Sequence, residues 1–233
     1  MVNNNSNEFW ISISDLMSGL MVIFLFIAVA YMYEIKNIFQ GVIYVTEGFE
    51  DTEKSLYKEL MKEFKNDLEN WNAEIDAKTL SVIFKEPDIL FGKGEHEIKP
   101  MFRKILNDFF PRYIDVLCED EYKSSISSVR IEGHTSTEWK IQTPAKLAYL
   151  NNMSLSQARA SEVLHYVLST NLNGSSSWVQ RHLQAVGYSS SKLITSESGI
   201  EDRILSRRVE FKVVTNSQEK LYELVSLVKG KTA

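Results

Sequence analysis

An aspartate at the edge of a long apolar run is the group in this sequence best placed to do chemistry. The run reads Trp10-Ile11-Ser12-Ile13-Ser14-Asp15-Leu16-Met17-Ser18-Gly19-Leu20-Met21, and no charged residue follows Asp15 until Glu34. Leu16 to Tyr33 gives about 27 Å of helix at 1.5 Å per residue, close to one bilayer core. The chain has no second run of this kind. A carboxylate at the centre of such a segment costs about 2.5–3.5 kcal/mol to insert. Where one is kept, it faces a protein partner or water, and an ion or proton pathway is the default hypothesis. A carboxylate that binds a proton and then releases it changes what the surrounding helices prefer, which is the differential binding that ion-driven motion requires. Ser12, Ser14 and Ser18 offer hydroxyls to such a site or to helix contacts, and Gly19 and Ala28 offer points of close helix approach. On the residues alone an equal alternative stands, a boundary carboxylate that caps the helix and faces headgroups.

The rest of the chain must position this group. Its 233 residues suffice for one membrane segment and one ordinary domain, and 44% hydrophobic residues allow that domain a core. A net charge of −5 gives no support for nucleic-acid binding. Cys118 is the single cysteine, which excludes an internal disulfide and a cysteine-cluster metal site and reads as a small buried residue near a helix end. His96, His134, His165 and His182 stand at no ligand spacing, so no metal is expected. No nucleophile triad or phosphate loop occurs, so the chain reads as a non-enzyme without a cofactor. Ala28-Val29-Ala30 resembles a signal cleavage site, but no Lys or Arg precedes the apolar run and the run continues through Tyr33. An uncleaved anchor is expected, flanked by Phe9, Trp10, Tyr31 and Tyr33 as interfacial aromatics. Lys36 alone lies close after it, so charge does not set its orientation.

The segments read as a tail (1–8), a membrane helix (9–33), an amphipathic helical spacer (34–76), a compact α+β domain (77–216) and a C-terminal helix or tail (217–233). In the spacer, Leu56, Leu60, Phe64, Leu68 and Trp71 form one apolar stripe. That stripe must bury in its own domain or against a twin helix, and pairing in a dimer is predicted. The domain reads as a mixed four-stranded sheet with helices. Its strands are Thr79–Lys85, Ser128–His134, Leu183–Tyr188 and Arg207–Val214. Turns surround Ile89-Leu90-Phe91. A helix is predicted over about Lys99–Leu117, with Pro100 in its first turn and Pro111 as a kink. Ser154 is expected to cap a helix over Leu155–Ser169. A short helix is predicted over Leu221–Val228. Residues 136–152 read as a long connection, the kind that often carries function.

Four pieces in order carry a family resemblance: Ile131-Glu132-Gly133-His134-Thr135, then Asn152 with Leu155-Ser156-Gln157-Ala158-Arg159-Ala160, then Val186-Gly187-Tyr188, then Arg207-Arg208-Val209-Glu210-Phe211. Residues 79–216 resemble the OmpA-like peptidoglycan-binding family. That resemblance implies recognition of the diaminopimelate unit of the stem peptide, with Asn152, Leu155 and Arg159 lining the pocket beside Thr135, Ser136 and Arg208. Arg159 suits a ligand carboxylate, which guanidinium binds in bidentate fashion, and its alternative is a surface pair with Glu162. Leu155 is equally able to be core, and Arg208 equally able to satisfy a neighbouring acid. The family usually places an aspartate after the Gly-His-Thr turn, where it holds the ligand ammonium. Ser136 stands there, and Glu138 in the following loop is the acid nearest to hand.

Trp10 through Leu25 resembles the membrane segment of MotB-like stator B subunits, in which the aspartate at the place of Asp15 carries the transported H+ or Na+. One lone helix cannot line a pore, so the resemblance implies two copies of this chain inside a ring of about five A-type membrane subunits. Ser14, Ser18 and Gly19 then support the ion site and helix packing. The architecture implied is single-pass in a bacterial inner membrane, with the tail cytoplasmic and the domain periplasmic. Within the stator superfamily, the phrase from Ile11 to Met21, the absence of a basic tail and the short spacer resemble the B subunits of the Zorya anti-phage systems. Three readings follow: a wall-anchored, ion-driven defence subunit, the same machine driving a flagellum, and a passive envelope–peptidoglycan tether. Asp15 separates the tether from the other two.

Overall fold

The computed structural model describes residues 4–85, 87–170, 175–217, 219, 220 and 222. The chain divides into two compact units, Met1–Gly48 with Glu219–Ala233, and Phe49–Gln218. Helix α1 (Asn4–Phe64) begins in the first and ends in the second. Its apolar stretch Ile13–Gly41 is 29 residues long, about 43 Å at 1.5 Å per residue. Among the described residues this is the one helix long and apolar enough to cross a membrane. Leu16, Met21, Phe26 and Met32 are exposed in the single chain, so this surface is left to lipid or to other chains.

In chain order the second unit then holds β1 (Ala73–Asp76), β2 (Ser81–Phe84), α2 (Pro87–Leu90), α3 (Pro100–Leu117), α4 (Asp120–Lys123), β3 (Ile126–Gly133), α5 (Ala145–Leu168), α6 (Ser176–His182), β4 (Leu183–Gly187), α7 (Arg203–Ser206) and β5 (Val209–Thr215). The strands form one mixed sheet in the order β1-β2-β5-β3-β4. Only β3 and β4 are parallel. The sheet has five strands where four are predicted, because β1 lies inside the predicted spacer. Its sequence Ala-Glu-Ile-Asp has little strand preference of its own. Asn72 before β1 and Leu80 in the turn before β2 both have positive φ, and pairing with β2 makes β1 an edge strand whose charged Glu74 and Asp76 protect it.

The core explains where the spacer stripe goes. Phe102, Leu106, Phe109, Tyr113 and Leu117 recur at helical spacing on α3 and are buried. Lys99 is extended, as a residue before proline prefers, and Pro100 opens the helix. Pro111 is accommodated inside α3. Phe84, Phe109 and Phe211 meet at centroid distances of 5.1–5.9 Å. Onto this cluster α1 lays Leu56, Leu60 and Phe64, which are 1%, 0% and 0% exposed, with Leu68 and Trp71 packed beside them. Arg112 fastens the same joint: its Nε donates to Glu63 at 2.6 Å, its Nη2 to Asp67 at 2.9 Å, and its guanidinium lies 4.9 Å from the Phe64 ring. The stripe therefore closes its own domain rather than a twin helix, which corrects the basis of the predicted pairing. The helix predicted over Leu221–Val228 falls, Tyr222 aside, outside the described residues.

Candidate functional site

Helix α5 starts at Ala145, well before the predicted Ser154 cap. Ser154 lies mid-helix, and its hydroxyl donates to Leu150 O at 3.3 Å. The early turns hide from a hydrophobicity pattern because their inward residues, Asn152, Ser156 and Arg159, are polar. Those turns lie against two glycines that face each other across the parallel ladder, Gly133 of β3 and Gly187 of β4. A Cβ on Gly133 would stand 2.3 Å from Ser156 O, and one on Gly187 would stand 2.5 Å from Gln157 N. The notch lets α5 lie directly on the strand ends. Ser156 Oγ accepts from Ser189 N at 2.9 Å, and Gln157 Oε1 accepts from Gly187 N at 2.7 Å, so the helix is bonded in place.

Above the notch lies a cavity of about 940 Å³ whose lining includes Thr135, Ser136, Asn152, Leu155 and Arg159. Five of the six residues that the resemblance implies for peptidoglycan contact thus line one cavity. Asn152 holds the loop that follows β3: its Nδ2 donates to Ser136 O and to Glu138 O, each at 3.1 Å. Ser136 is buried in the place where the family carries an acid, and Glu138 lines the same cavity. Thr135 Oγ1 is buried without a hydrogen-bond partner among the described residues. Leu155 is partly exposed at the cavity wall.

Arg159 is turned differently from the expected bidentate clamp. Its Nε donates to Glu95 O at 2.8 Å and its Nη2 to Gly92 O at 3.0 Å, with Phe91 stacked at 4.8 Å. Two of its donors therefore fix the opposite wall. Among the described residues its bonds go to these two carbonyls and not to Glu162.

Arg208 is absent from this cavity lining. Strand alternation places it on the other side of the sheet with Glu210, to which its Nε donates at 2.6 Å. There it joins a buried cluster. Glu132, His134 and Glu210 bring ligand-type atoms within 4.8 Å of one another. Each acid already has a cation, since Lys192 Nζ lies 3.1 Å from Glu132 and Arg208 holds Glu210. His134 stacks on Tyr188 at 5.2 Å, and its Nε2 is 3.6 Å from both acids, longer than a hydrogen bond. The sequence spacing did not reveal this cluster, because Lys192 and Tyr188 come from a distant loop. The residues missed at the cavity itself are Arg207, Lys93, Lys140 and Trp139. Alternation carries the signal for Arg207: it shares a face with Val209, Phe211 and Val213, the buried side of β5.

The cluster is expected to make the domain acid-sensitive. Burial by itself raises the Glu132 carboxyl, but the nearby His134 and Lys192 more than offset this and hold it at about 2. Burial, the largest influence on His134, keeps that ring below its ordinary value of 6.5. Unfolding lets the imidazole take a proton below about pH 6.5 and lets the carboxyl do so below about 4.5, so both groups remove stability as pH falls. The Glu132 contribution, on the order of 3 kcal/mol, is lost between pH 4.5 and 2. We expect Tm to decline from pH 6.5 downward, and His134→Gln to flatten the first part of that decline. A profile unchanged by His134→Gln would show that the ring does not titrate on unfolding.

These features find their match among known proteins. An OmpA family model matches residues 90–207. A MotB-like protein of Desulfovibrio vulgaris superposes with a TM-score of 0.50 at 20% identity, over 72% of this chain and 98% of that one, which shows a shared fold. A Zorya protein ZorB of Escherichia coli O139:H28 is 27% identical over 217 residues, 88% of this chain and 79% of the relative. Another Zorya protein ZorB, from the Crooks strain of Escherichia coli, is 47% identical over 223 residues, 95% of this chain and 94% of its own. With that identity spanning apolar helix and sheet domain alike, the chain belongs to the ZorB family of Zorya proteins, and its sheet domain to the OmpA family.

Proposed function

We propose that the chain is the B subunit of an ion-driven stator-type complex that is anchored to peptidoglycan and acts in anti-phage defence. One observation carries the reading: a chain 47% identical to a ZorB joins a carboxylate-bearing apolar helix to an OmpA-family domain. Asp15 carries the ion, a proton, with Ser14, Ser18 and Gly19 supporting the site. The helix crosses the inner membrane once, with the tail cytoplasmic and the domain periplasmic. Two copies stand within about five A-type subunits, because a single helix cannot line a pore. A passive tether has no use for a carboxylate in its anchor, and relatives named for Zorya favour defence over a flagellum.

At the wall, the cavity of about 940 Å³ takes the diaminopimelate-bearing stem peptide. Thr135 Oγ1 supplies a hydroxyl, Leu155 an apolar wall, and Ser136 a hydroxyl where the family has a charge. Asn152 keeps the Ser136–Glu138 loop in place through its two carbonyl bonds. The test is cosedimentation of the detergent-solubilised full chain with purified sacculi. Wild type is expected to sediment, and Asn152→Ala to bind about tenfold more weakly, as loss of two hydrogen bonds implies. A wild-type chain that stays in the supernatant would remove the wall-anchor reading.

A further inference from the structure

The first unit joins α1 as far as Gly48 to the C-terminal segment Glu219–Ala233. Its helix is longer than a bilayer needs: Ile13–Gly41 gives about 43 Å, roughly 13 Å more than a hydrocarbon core of about 30 Å. Glu34 and Lys36 are the first charges after Asp15 and set the edge of that core near Tyr33. Past the edge, Ile35, Phe39 and Ile43 recur at i+4 spacing and are 46%, 65% and 49% exposed. A stripe of large apolar residues beyond the lipid needs a cover. From Ser14 to Gly41 every residue but Ile38 is exposed, and Ile38 is half-buried, so more than the turns of α1 shades the helix at this level.

The chain itself offers the cover. Strand β5 ends at Thr215, whose Oγ1 donates to Glu53 Oε1 of α1 at 2.7 Å. Beyond it Ser217, Glu219, Lys220 and Tyr222 are already helical. In the sequence that follows, Leu221, Leu224, Val225 and Val228 stand at i, i+3, i+4 and i+7, which makes one apolar stripe. Tyr222, off that stripe, is 75% exposed. Ile35–Ile43 and Leu221–Val228 are each about 11–12 Å long as helix, so one can lie along the other. We propose that residues 221–228 dock as a helix on the Ile35, Phe39 and Ile43 stripe of α1, just outside the membrane core. Because the segment leaves beside Glu53, it meets Ile43 first and Ile35 last, and so runs antiparallel to α1. That direction carries Lys229 and Lys231 to Glu34. A second copy in parallel would instead set Glu34 level with Glu34. The assignment rests on α1 crossing a membrane, and not on ion transport or wall binding. It leaves Asp15 and Leu16–Tyr33 open to other chains.

The experiment is disulfide crosslinking of the full chain, with Cys118→Ser as background, in membranes from cells that carry the whole operon. Maleimide labelling in denaturant first confirms that each introduced cysteine is a free thiol, so a missing product counts as an answer. On mild oxidation, Phe39→Cys with Val225→Cys, and Ile43→Cys with Leu221→Cys, should each give a monomer-sized product that reduction reverses. Phe39→Cys with Ser226→Cys, on the outer flank with Tyr222, should give clearly less. Leu224→Asp with Val225→Asp should raise the maleimide reactivity of Phe39→Cys severalfold in native membranes and leave that of Lys62→Cys, in the second unit, unchanged. A dimer-sized product from Phe39→Cys alone, in place of the monomer-sized one, gives the stripe to a second copy and overturns the proposal. A product with an A-type subunit overturns it as well. Membrane-bound chains with no monomer-sized product from either pair overturn it while the membrane reading stands. A chain recovered in the soluble fraction overturns both.

Discussion

Cells carrying the intact operon with Asp15→Asn are expected to lose phage protection, with plating efficiency returning to that of unprotected cells. Asn keeps the size and hydrogen-bonding capacity of Asp but cannot titrate. If the helix only needs a polar group at its boundary, Asn serves as well. If the machine runs on protonation, every cycle needs the charge to appear and vanish, and Asn stops it at the first step. The loss is therefore expected to be complete, while co-purification with the A-type subunits is retained. Asp15→Glu, which still titrates but reaches one methylene further, should keep a part of the protection. Protection retained in Asp15→Asn would reduce Asp15 to a boundary residue and return the chain to a passive tether. An intact operon that protects against no phage would argue for motility instead.

On the proposed reading, the helix around Asp15 is covered by other chains. Asp15 is exposed in the single chain, as are Ser14, Ser18 and Gly19. Helical spacing puts Ser18 and Gly19 on the Asp15 face, at i+3 and i+4, and turns Ser14 about 100° away. A Cβ on Gly19 would meet nothing within 4 Å, so a neighbouring helix has room to approach at that level. A polar group on a face of small residues can be screened from lipid only by a partner or by water. The second unit offers the matching anchor, because the stripe of α1 that reads as a dimer seam is consumed by its own core. The proposed pairing of two copies would then draw on other surfaces, such as the exposed apolar face of Ile13–Gly41.

Legibility in the sequence followed apolar periodicity. Helix α3 showed because Phe102, Leu106, Phe109 and Tyr113 repeat at helical spacing behind Pro100. The strands β2, β3 and β5 showed because each is rich in β-formers. The front of α5 did not, since Asn152, Ser156 and Arg159 occupy the inward positions that a hydrophobic pattern requires to be apolar. Strand β1 was invisible because pairing alone makes it a strand. At the cavity, motif order led to Thr135, Ser136, Asn152, Leu155 and Arg159. It chose Arg208, whereas the cavity lining holds Arg207, although alternation with Val209 and Phe211 separates the two. What Arg159 bonds could not be read at all, because Gly92 and Glu95 are more than sixty residues away and only the fold brings them to it.

Gly133→Ala is expected to be the most damaging conservative change in the sheet domain. The added methyl would lie 2.3 Å from Ser156 O, a backbone atom that no side-chain rotation can move. Helix α5 must lift or the end of β3 must bend, at a cost of about 3 kcal/mol, the upper part of the usual range for overpacking. For a unit of this size that lowers Tm by roughly 6–12 °C. The same shift moves Asn152 and Arg159, which α5 carries, so retention on sacculi should fall with stability. Gly187→Ala meets Gln157 N at 2.5 Å on the paired strand and should cost a similar amount. The two changes push one helix off one notch, so once α5 has lifted for the first methyl, the second finds room. The double variant should therefore lose clearly less than the sum of the singles, a coupling of about 1 kcal/mol or more. Gly199→Ala, with φ of 76° and no neighbour within 4 Å, carries only the backbone penalty of about 1 kcal/mol and serves as the comparison. Strict additivity of Gly133→Ala and Gly187→Ala, or a Gly133→Ala variant as stable as Gly199→Ala, would show that α5 does not depend on this notch for its position.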